Sequence, residues 1–256
     1  MTTSANPRPV LAIELSQRSG GVALIGRDDV AREIAVAGGR RDHDELAPAI
    51  AGLFEDAGLS AGSIATVAVD NGPGGFTGLR ISVAIGQAIA EAAGARVVAV
   101  PGALVAAAST PELASMVGRV LVLSAAKAGT AWGTIVTRTD PDSSWSIVGT
   151  PGILSGPPAD EPGAVLADEH LDARFRAAIP EGVPIIEPQF SPTALARIGV
   201  AAVDRREGGE GCGSGPVIHE DPARLQPLYP REPEAVRVWR ERHPDNRSDG
   251  PVVRPG

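Results

Sequence analysis

An apolar run, a cluster of glycines and a long proline-free run, in that order, constrain this chain most. Residues 64–69 read Ile-Ala-Thr-Val-Ala-Val, and their β-branched content is typical of a buried strand. Residues 79–93 contain no proline and one interior glycine, Gly86, which predicts a helix. The glycines between the two runs therefore predict a tight strand-to-helix turn.

This turn is a candidate anion site, because amides at a helix N-terminus are free to bind negative charge. Thr77 has the residue type and position of an N-cap for the helix. The candidate cofactor-binding residues, for an anion or a nucleotide phosphate, are Gly72, Gly74, Gly75, Thr77 and Gly78. The alternative is a well-capped turn that binds no ligand, and local chemistry alone leaves both open.

The spacing excludes two other glycine-rich phosphate loops. A dinucleotide-binding fingerprint needs a third glycine three places after Gly74, where this chain has Thr77. A P-loop ends in Gly-Lys followed by Ser or Thr, whereas Gly78 is followed by Leu79 and Arg80.

Charge and composition exclude a free-standing nucleic-acid binder. The 256 residues carry a net charge of −8, and aromatic residues make up only 3%, so phosphate contacts and base stacking both lack side chains. Cys212 is the one cysteine, and the first nine residues lack an apolar signal core. We expect a cytoplasmic protein that does not enter a membrane.

The first half of the chain predicts three antiparallel strands, at 10–15, 21–25 and 30–36, and then a helix with apolar residues at helical spacing. The helix after the glycine turn is apolar on two faces, so both faces must be buried. One face covers a sheet, and the other needs a second helix, in this chain or in another. The candidate partner-interface residues on the two helices are Leu46, Ile50, Leu53, Ile81, Ile85, Ala88 and Ala92.

The second half repeats the alternation of short strands and loops less clearly. Before it, residues 96–100 predict a further strand. In the second half the predicted strands are 119–125, 130–138, 164–167 and 183–187, with a Pro/Gly-rich loop at 152–163 and a helix at 192–203. We expect no metal site, because no two of the four histidines, His43, His170, His219 and His243, lie within five residues of each other.

Residues 72–80, Gly-Pro-Gly-Gly-Phe-Thr-Gly-Leu-Arg, resemble the Gly-Pro-Gly-Ser-Phe-Thr-Gly-Leu-Arg motif of the bacterial TsaB (YeaZ) family, with Gly75 for serine. Residues 227–231 are similar to that family's closing Pro-x-Tyr-Leu-Arg. The resemblance implies an α/β fold of the actin-like ATPase (ASKHA, ribonuclease H-like) type with two lobes, the second reduced. The implied boundaries are 1–108, 109–230 and a tail at 231–256 whose end we expect to be disordered.

The resemblance implies a non-catalytic subunit of the machinery that makes threonylcarbamoyladenosine on tRNA. Such a subunit pairs with a TsaD-like transferase through its first two helices and helps to recruit a TsaE-like ATPase. It contacts tRNA only through the complex. The alternative pairing is a homodimer of the isolated chain. The catalytic relative TsaD carries two histidines where this chain has Gly102 and Ala106. Glu14 and Leu15 stand where the family has Asp and Thr, so catalysis by this chain is not expected.

Two other functions compete with this interpretation. A small-molecule kinase or ATPase of the same superfamily would use residues 72–78 to bind phosphate, with Lys127 as a further candidate ligand. For the family itself, the resemblance leaves open that ATP or ADP binds at the interface of the partner complex. A peptidase, an activity once assigned to the family, needs a nucleophile with a base or a zinc site. The sequence presents neither pattern.

Overall fold

The structure, a computed structural model, describes residues 8–37, 45–126, 129–156, 162–207, 215–229, 238–239 and 242–243. The strands are β1 (Val10–Glu14), β2 (Ser19–Ile25), β3 (Ala31–Ala37), β4 (Thr66–Gly72), β5 (Arg96–Pro101), β6 (Gly118–Ala126), β7 (Thr130–Arg138), β8 (Ser146–Leu154), β9 (Ala164–Ala167), β10 (Ile185–Ile186) and β11 (Val217–His219). The helices are α1 (Leu46–Asp56), α2 (Phe76–Ala93), α3 (Gly102–Ser109), α4 (Ala173–Ala177) and α5 (Pro192–Glu207).

The first sheet has six strands in the order β11-β5-β4-β1-β2-β3. Its centre is parallel, with β4 between β1 and β5, whereas β2, β3 and β11 run antiparallel to their neighbours. Strand β1 is buried on both faces, because alternate side chains serve different helix layers. Leu11 and Ile13 belong to the cluster that includes residues of α1 and α2, and Val10 and Ala12 belong to the cluster that includes α3 and α5.

The second sheet has five strands in the order β10-β9-β6-β7-β8. Strands β6, β7 and β8 form an antiparallel meander, and β9 pairs with β6 in parallel. Leu121 and Leu123 of β6 and Val165 of β9 share a core with Phe175 of α4, which is 1% exposed. This sheet therefore has a small apolar core of its own.

The chain returns to the first sheet after building the second. Helix α5 packs on β1, β2 and β4, and β11 adds an edge strand beside β5. Both elements lie within residues 109–230, which the sequence resemblance assigns to the second lobe. The lobe boundaries themselves stay a prediction.

Two local predictions need correction. Thr77 is not the N-cap of α2: the helix begins at Phe76, Gly75 occupies the cap position, and no side chain caps it. Residues 152–154 belong to β8 rather than to a loop, and 157–161 lie outside the described residues. Pro151 is tolerated there because β8 is an edge strand, where a missing N–H breaks no ladder bond on the open side.

Among the described residues, no helix has the length and apolar content needed to span a membrane.

Candidate functional site

The glycine loop is closed onto the turn that follows β1. The Gly75 amide donates a 2.7 Å hydrogen bond to the Ser16 carbonyl oxygen. A Cβ on Gly74 would lie 2.4 Å from the same oxygen, and a Cβ on Gly78 would lie 1.8 Å from the Leu15 carbonyl oxygen. Gly74 and Gly78 are therefore required because the glycine loop lies too close to the turn after β1 to leave room for a Cβ atom.

Beneath this junction two carboxyl groups are fully buried side by side. Glu14 ends β1 and Asp70 lies near the end of β4; both are 0% exposed. Glu14 Oε1 accepts hydrogen bonds from the Ser16 amide (2.8 Å) and hydroxyl (2.6 Å), and Asp70 Oδ1 accepts one from the Gly72 amide (2.7 Å). The pair thus fixes both sides of the junction, the Ser16 turn and the start of the glycine loop.

The remaining oxygens, Glu14 Oε2 and Asp70 Oδ2, are buried and have no hydrogen-bond partner among the described residues. The two carboxyl groups interact with each other at a fully buried site, and two neighbouring carboxylates there repel, which favours a proton on one of them. Burial, and secondly the Asp70 charge, raise the pKa of Glu14 well above its usual value. Burial also raises the pKa of Asp70, but the neighbouring Glu14 and the hydrogen bond from the Gly72 amide oppose that rise. Glu14 is therefore the proton carrier.

We predict that Glu14→Gln removes a pH-dependent loss of stability. Because the pKa of Glu14 is higher in the folded state, the unfolded chain releases this proton first, so stability falls as pH rises from 4.5 through the folded pKa. The slope is at most about 1.4 kcal/mol per pH unit for one proton. A glutamine keeps the acceptor for Ser16 and supplies a permanent donor to Asp70.

Thermal melts from pH 5 to pH 9 test this, with the exposed Glu55→Gln as the control. The expected result is a stability gain for Glu14→Gln that grows with pH, while Glu55→Gln follows the wild type. Parallel pH profiles for wild type and Glu14→Gln would show that Glu14 is ionised in the folded chain.

The second motif of the sequence lies against the first. The Leu228 amide donates to the Asn71 carbonyl oxygen at 2.6 Å, and Arg80 Nε donates to the Tyr229 hydroxyl at 3.1 Å. The Arg80 guanidinium lies 3.9 Å from the centre of the Phe76 ring, and the Phe76 and Tyr229 ring centres are 5.4 Å apart. Spacing in the sequence gave no indication of this contact between residues about 150 positions apart.

A cleft of about 290 Å³ lies between the glycine loop and the second sheet. Pro73, Gly74 and Gly75 form one side, and Ser124 and Asp168 are on the other. Among the described residues, no lysine or arginine lines this cleft, and Lys127 lies outside them. Of the other predicted anion ligands, Gly72 is buried, Thr77 is exposed and Gly78 is half-buried, and the three do not line the cleft.

Leu46, Ile50 and Leu53, predicted at a partner interface, are inside this chain. They are 1%, 9% and 1% exposed and belong to the core between α1 and the first sheet. A partner that reaches α1 would therefore meet its other side, which exposes Ala47 and Ala51.

The predicted interface residues on α2 have a different environment. Ile81 and Ile85 are half-buried at the edge of the core, and Ala88 and Ala92 are exposed. With the exposed Ala84, the alanines recur every four residues and form one stripe along the helix. We call Ile81, Ala84, Ile85, Ala88 and Ala92 the α2 stripe.

The positions of the two TsaD histidines lie at the start of α3. Gly102 and Ala106 are both buried, and a Cβ on Gly102 would lie 3.1 and 3.2 Å from the Asp70 carboxylate oxygens. Among the described residues, which exclude His43, no group of three His, Cys, Asp or Glu side chains is arranged to hold a metal ion.

Comparison with known proteins agrees with this geometry. The family model for TsaD, tRNA N6-adenosine threonylcarbamoyltransferase, matches residues 37–137, which include the glycine loop, α2 and α3. The tRNA threonylcarbamoyladenosine biosynthesis protein TsaB of Bacillus subtilis (strain 168) is 30% identical over 81 residues, 32% of this chain and 35% of that protein. The sequence match thus spans about a third of the curated relative.

Over these matched segments the chain is similar to the TsaD family model and to TsaB.

Two solved structures from Pseudomonas aeruginosa extend the likeness in fold to most of the chain. One is YeaZ, with a TM-score of 0.64 and 18% identity over 86% of this chain and 99% of that chain. The other is an uncharacterized protein with similarity to peptidase YEAZ, with a TM-score of 0.63 and 20% identity over 87% and 99%. The predicted actin-like α/β fold is confirmed.

Proposed function

We propose that this chain is a subunit of the machinery that makes threonylcarbamoyladenosine on tRNA, and that it supports a TsaD-like transferase without catalysing the transfer. The observation that carries the proposal is the α2 stripe, an exposed small-residue surface beside the glycine loop of a chain similar to TsaB. The proposed place of action is the cytoplasm, with tRNA reached only through the complex.

The α2 stripe supports the pairing because alanines permit close approach of a second helix. Ala84, Ala88 and Ala92 add almost no side-chain entropy to be lost on contact, and Ile81 and Ile85 provide apolar area beside them. Glu91 is exposed next to this surface, where it is available to a basic residue of the partner.

Four features support a non-catalytic role. The Gly75 amide, which would otherwise be available to phosphate, is bonded to Ser16. Leu15 has no hydroxyl, and Gly102 and Ala106 have no metal-binding side chain. Asp168 faces the cleft, and a carboxylate repels phosphate unless a cation lies between them. A kinase or a peptidase finds no comparable support among the described residues.

The finer assignments follow from this role. A TsaE-like ATPase joins through the assembled pair, and ATP or ADP belongs to the interface of that complex. The isolated chain pairs with a second copy through the same α2 stripe when the transferase is absent.

We predict that the purified chain alone neither hydrolyses ATP nor transfers a threonylcarbamoyl group, because of the four features just described. Phosphate release and mass spectrometry of tRNA nucleosides measure the two activities. Addition of the TsaD-like protein and its other partners is expected to start transfer. Turnover by the chain alone that disappears in Arg80→Ala would contradict the non-catalytic assignment.

A further inference from the structure

A second cavity, of about 460 Å³, lies away from the glycine loop, between α3, α5 and the turn after β7. Its wall includes Leu104, Leu113, Trp145 and Ile198, which are buried or half-buried apolar residues. Polar groups at its rim include the side chains of Ser143, Ser144 and Arg205. We call it the α3–α5 pocket; it shares no lining residue with the cleft at the glycine loop.

The charge of the α3–α5 pocket is opposite to that of the chain. Arg138, Arg197 and Arg205 line it, and among the described residues no aspartate or glutamate does. The whole chain carries a net charge of −8, and Arg197 is paired with Asp29, so Arg138 and Arg205 make this pocket locally positive. Such a cavity favours an anion over a neutral ligand.

Arg138 gives the pocket a fixed positive charge. It is 9% exposed, and it donates to the carbonyl oxygens of Met116, Pro141, Leu113 and Ala114. Its guanidinium carbon lies 4.6 Å from the centre of the Trp145 ring. Among the described residues no carboxylate forms an ion pair with it, whereas buried charges are ordinarily paired.

Arg205 has the freedom to bind a ligand directly. Among the described residues its guanidinium makes one hydrogen bond, a long contact of 3.4 Å from Nη1 to the Ser144 hydroxyl. Arg197, by contrast, is held by Asp29 through an ion pair. A carboxylate, sulfonate or phosphate at the rim would therefore bind Arg205 and the Ser144 hydroxyl, since the Ser143 hydroxyl already donates to the Asp140 carbonyl oxygen.

We infer that the α3–α5 pocket binds a small organic anion with an apolar body, placing the body against Trp145 and Leu113 and the charged group at Arg205. Apolar walls with a few convergent polar groups are the usual composition of small-molecule sites. This site is separate from the proposed partner surface. Helices α3 and α5 pack on one face of the first sheet, and α1 and α2 pack on the other.

The test uses 8-anilinonaphthalene-1-sulfonate, an apolar body with one anionic group, and its neutral analogue N-phenyl-1-naphthylamine. Fluorescence titration of the wild type is expected to show saturable binding of one sulfonate probe per chain. Arg205→Gln is expected to weaken binding of the sulfonate probe about tenfold, because it removes a charge-assisted hydrogen bond. The same variant should bind the neutral analogue with unchanged affinity.

Arg206→Gln is the matched control, because Arg206 is adjacent in sequence, pairs with Glu220 at 2.9 Å and does not line the pocket. It is expected to bind both probes like the wild type. Ala201→Phe places a ring in the cavity and is expected to abolish binding of both, with thermal melting to confirm that it is folded.

Equal affinity of Arg205→Gln and Arg206→Gln for the sulfonate probe would overturn the inference. It would also be overturned if Arg205→Gln lost as much affinity for the neutral analogue as for the sulfonate probe. Binding by a folded Ala201→Phe variant would place the probe elsewhere and overturn it as well.

Discussion

Gly78→Ala is expected to lower the free energy of unfolding by about 3 kcal/mol, the upper part of the range for overpacking. The added Cβ would lie 1.8 Å from the Leu15 carbonyl oxygen, so α2 or the turn after β1 must move. Intrinsic helix propensity predicts the opposite, a gain of about 1 kcal/mol for alanine over glycine inside a helix. The sign of the change therefore distinguishes backbone contact from propensity.

Gly75→Ala is the matched control in the same loop. Its Cβ would lie 3.5 Å from the Ser16 carbonyl oxygen, an ordinary contact, and its φ of −63° suits alanine. Urea unfolding of the wild type and both variants measures the difference. Unchanged or increased stability in Gly78→Ala would show that the loop is not closed onto the turn as described.

Ala88→Arg is expected to weaken pairing with the TsaD-like protein more than a hundredfold while leaving the chain folded. Ala88 is exposed, so the arginine is hydrated in the free chain. When the interface closes the cation must lose water without a partner, which costs about 3 kcal/mol or more. Calorimetric titration measures the affinity, and circular dichroism confirms the fold.

Ile85→Arg tests the same surface at its half-buried edge. It should also weaken pairing, with some loss of stability because Ile85 packs against the core. Val148→Arg is the control, because Val148 is 41% exposed on the edge strand of the second sheet, away from α2. Normal pairing by a folded Ala88→Arg variant would remove the α2 stripe from the interface.

The strands and helices of the first half were predictable from local pattern. Residues 64–69 and 79–93 correspond to β4 and α2 within a few positions, because a doubly buried strand and a proline-free helix have distinct periodicities. The antiparallel start, β1 to β3, is likewise confirmed. Pattern fails at β8 and β11, which are edge strands of weak composition that depend on pairing with an existing sheet.

The candidate site was only partly predictable. The glycine motif identified the loop, but its contact with Ser16 depends on β1 and β4 lying side by side. Asp70 gave a signal that sequence reasoning missed. It lies near the end of a buried strand parallel to the one that Glu14 ends, and such ends meet at one edge of a sheet. The burial of Leu46, Ile50 and Leu53 also required the tertiary structure, since helical spacing does not say which neighbour an apolar face meets.

Sedimentation velocity of an equimolar mixture of this chain and the TsaD-like protein tests the proposed role most directly. The expected result is one faster boundary containing both proteins, present with Val148→Arg and absent with Ala88→Arg. Two separate boundaries for the wild-type mixture, each at the rate of the protein alone, would contradict the proposed pairing.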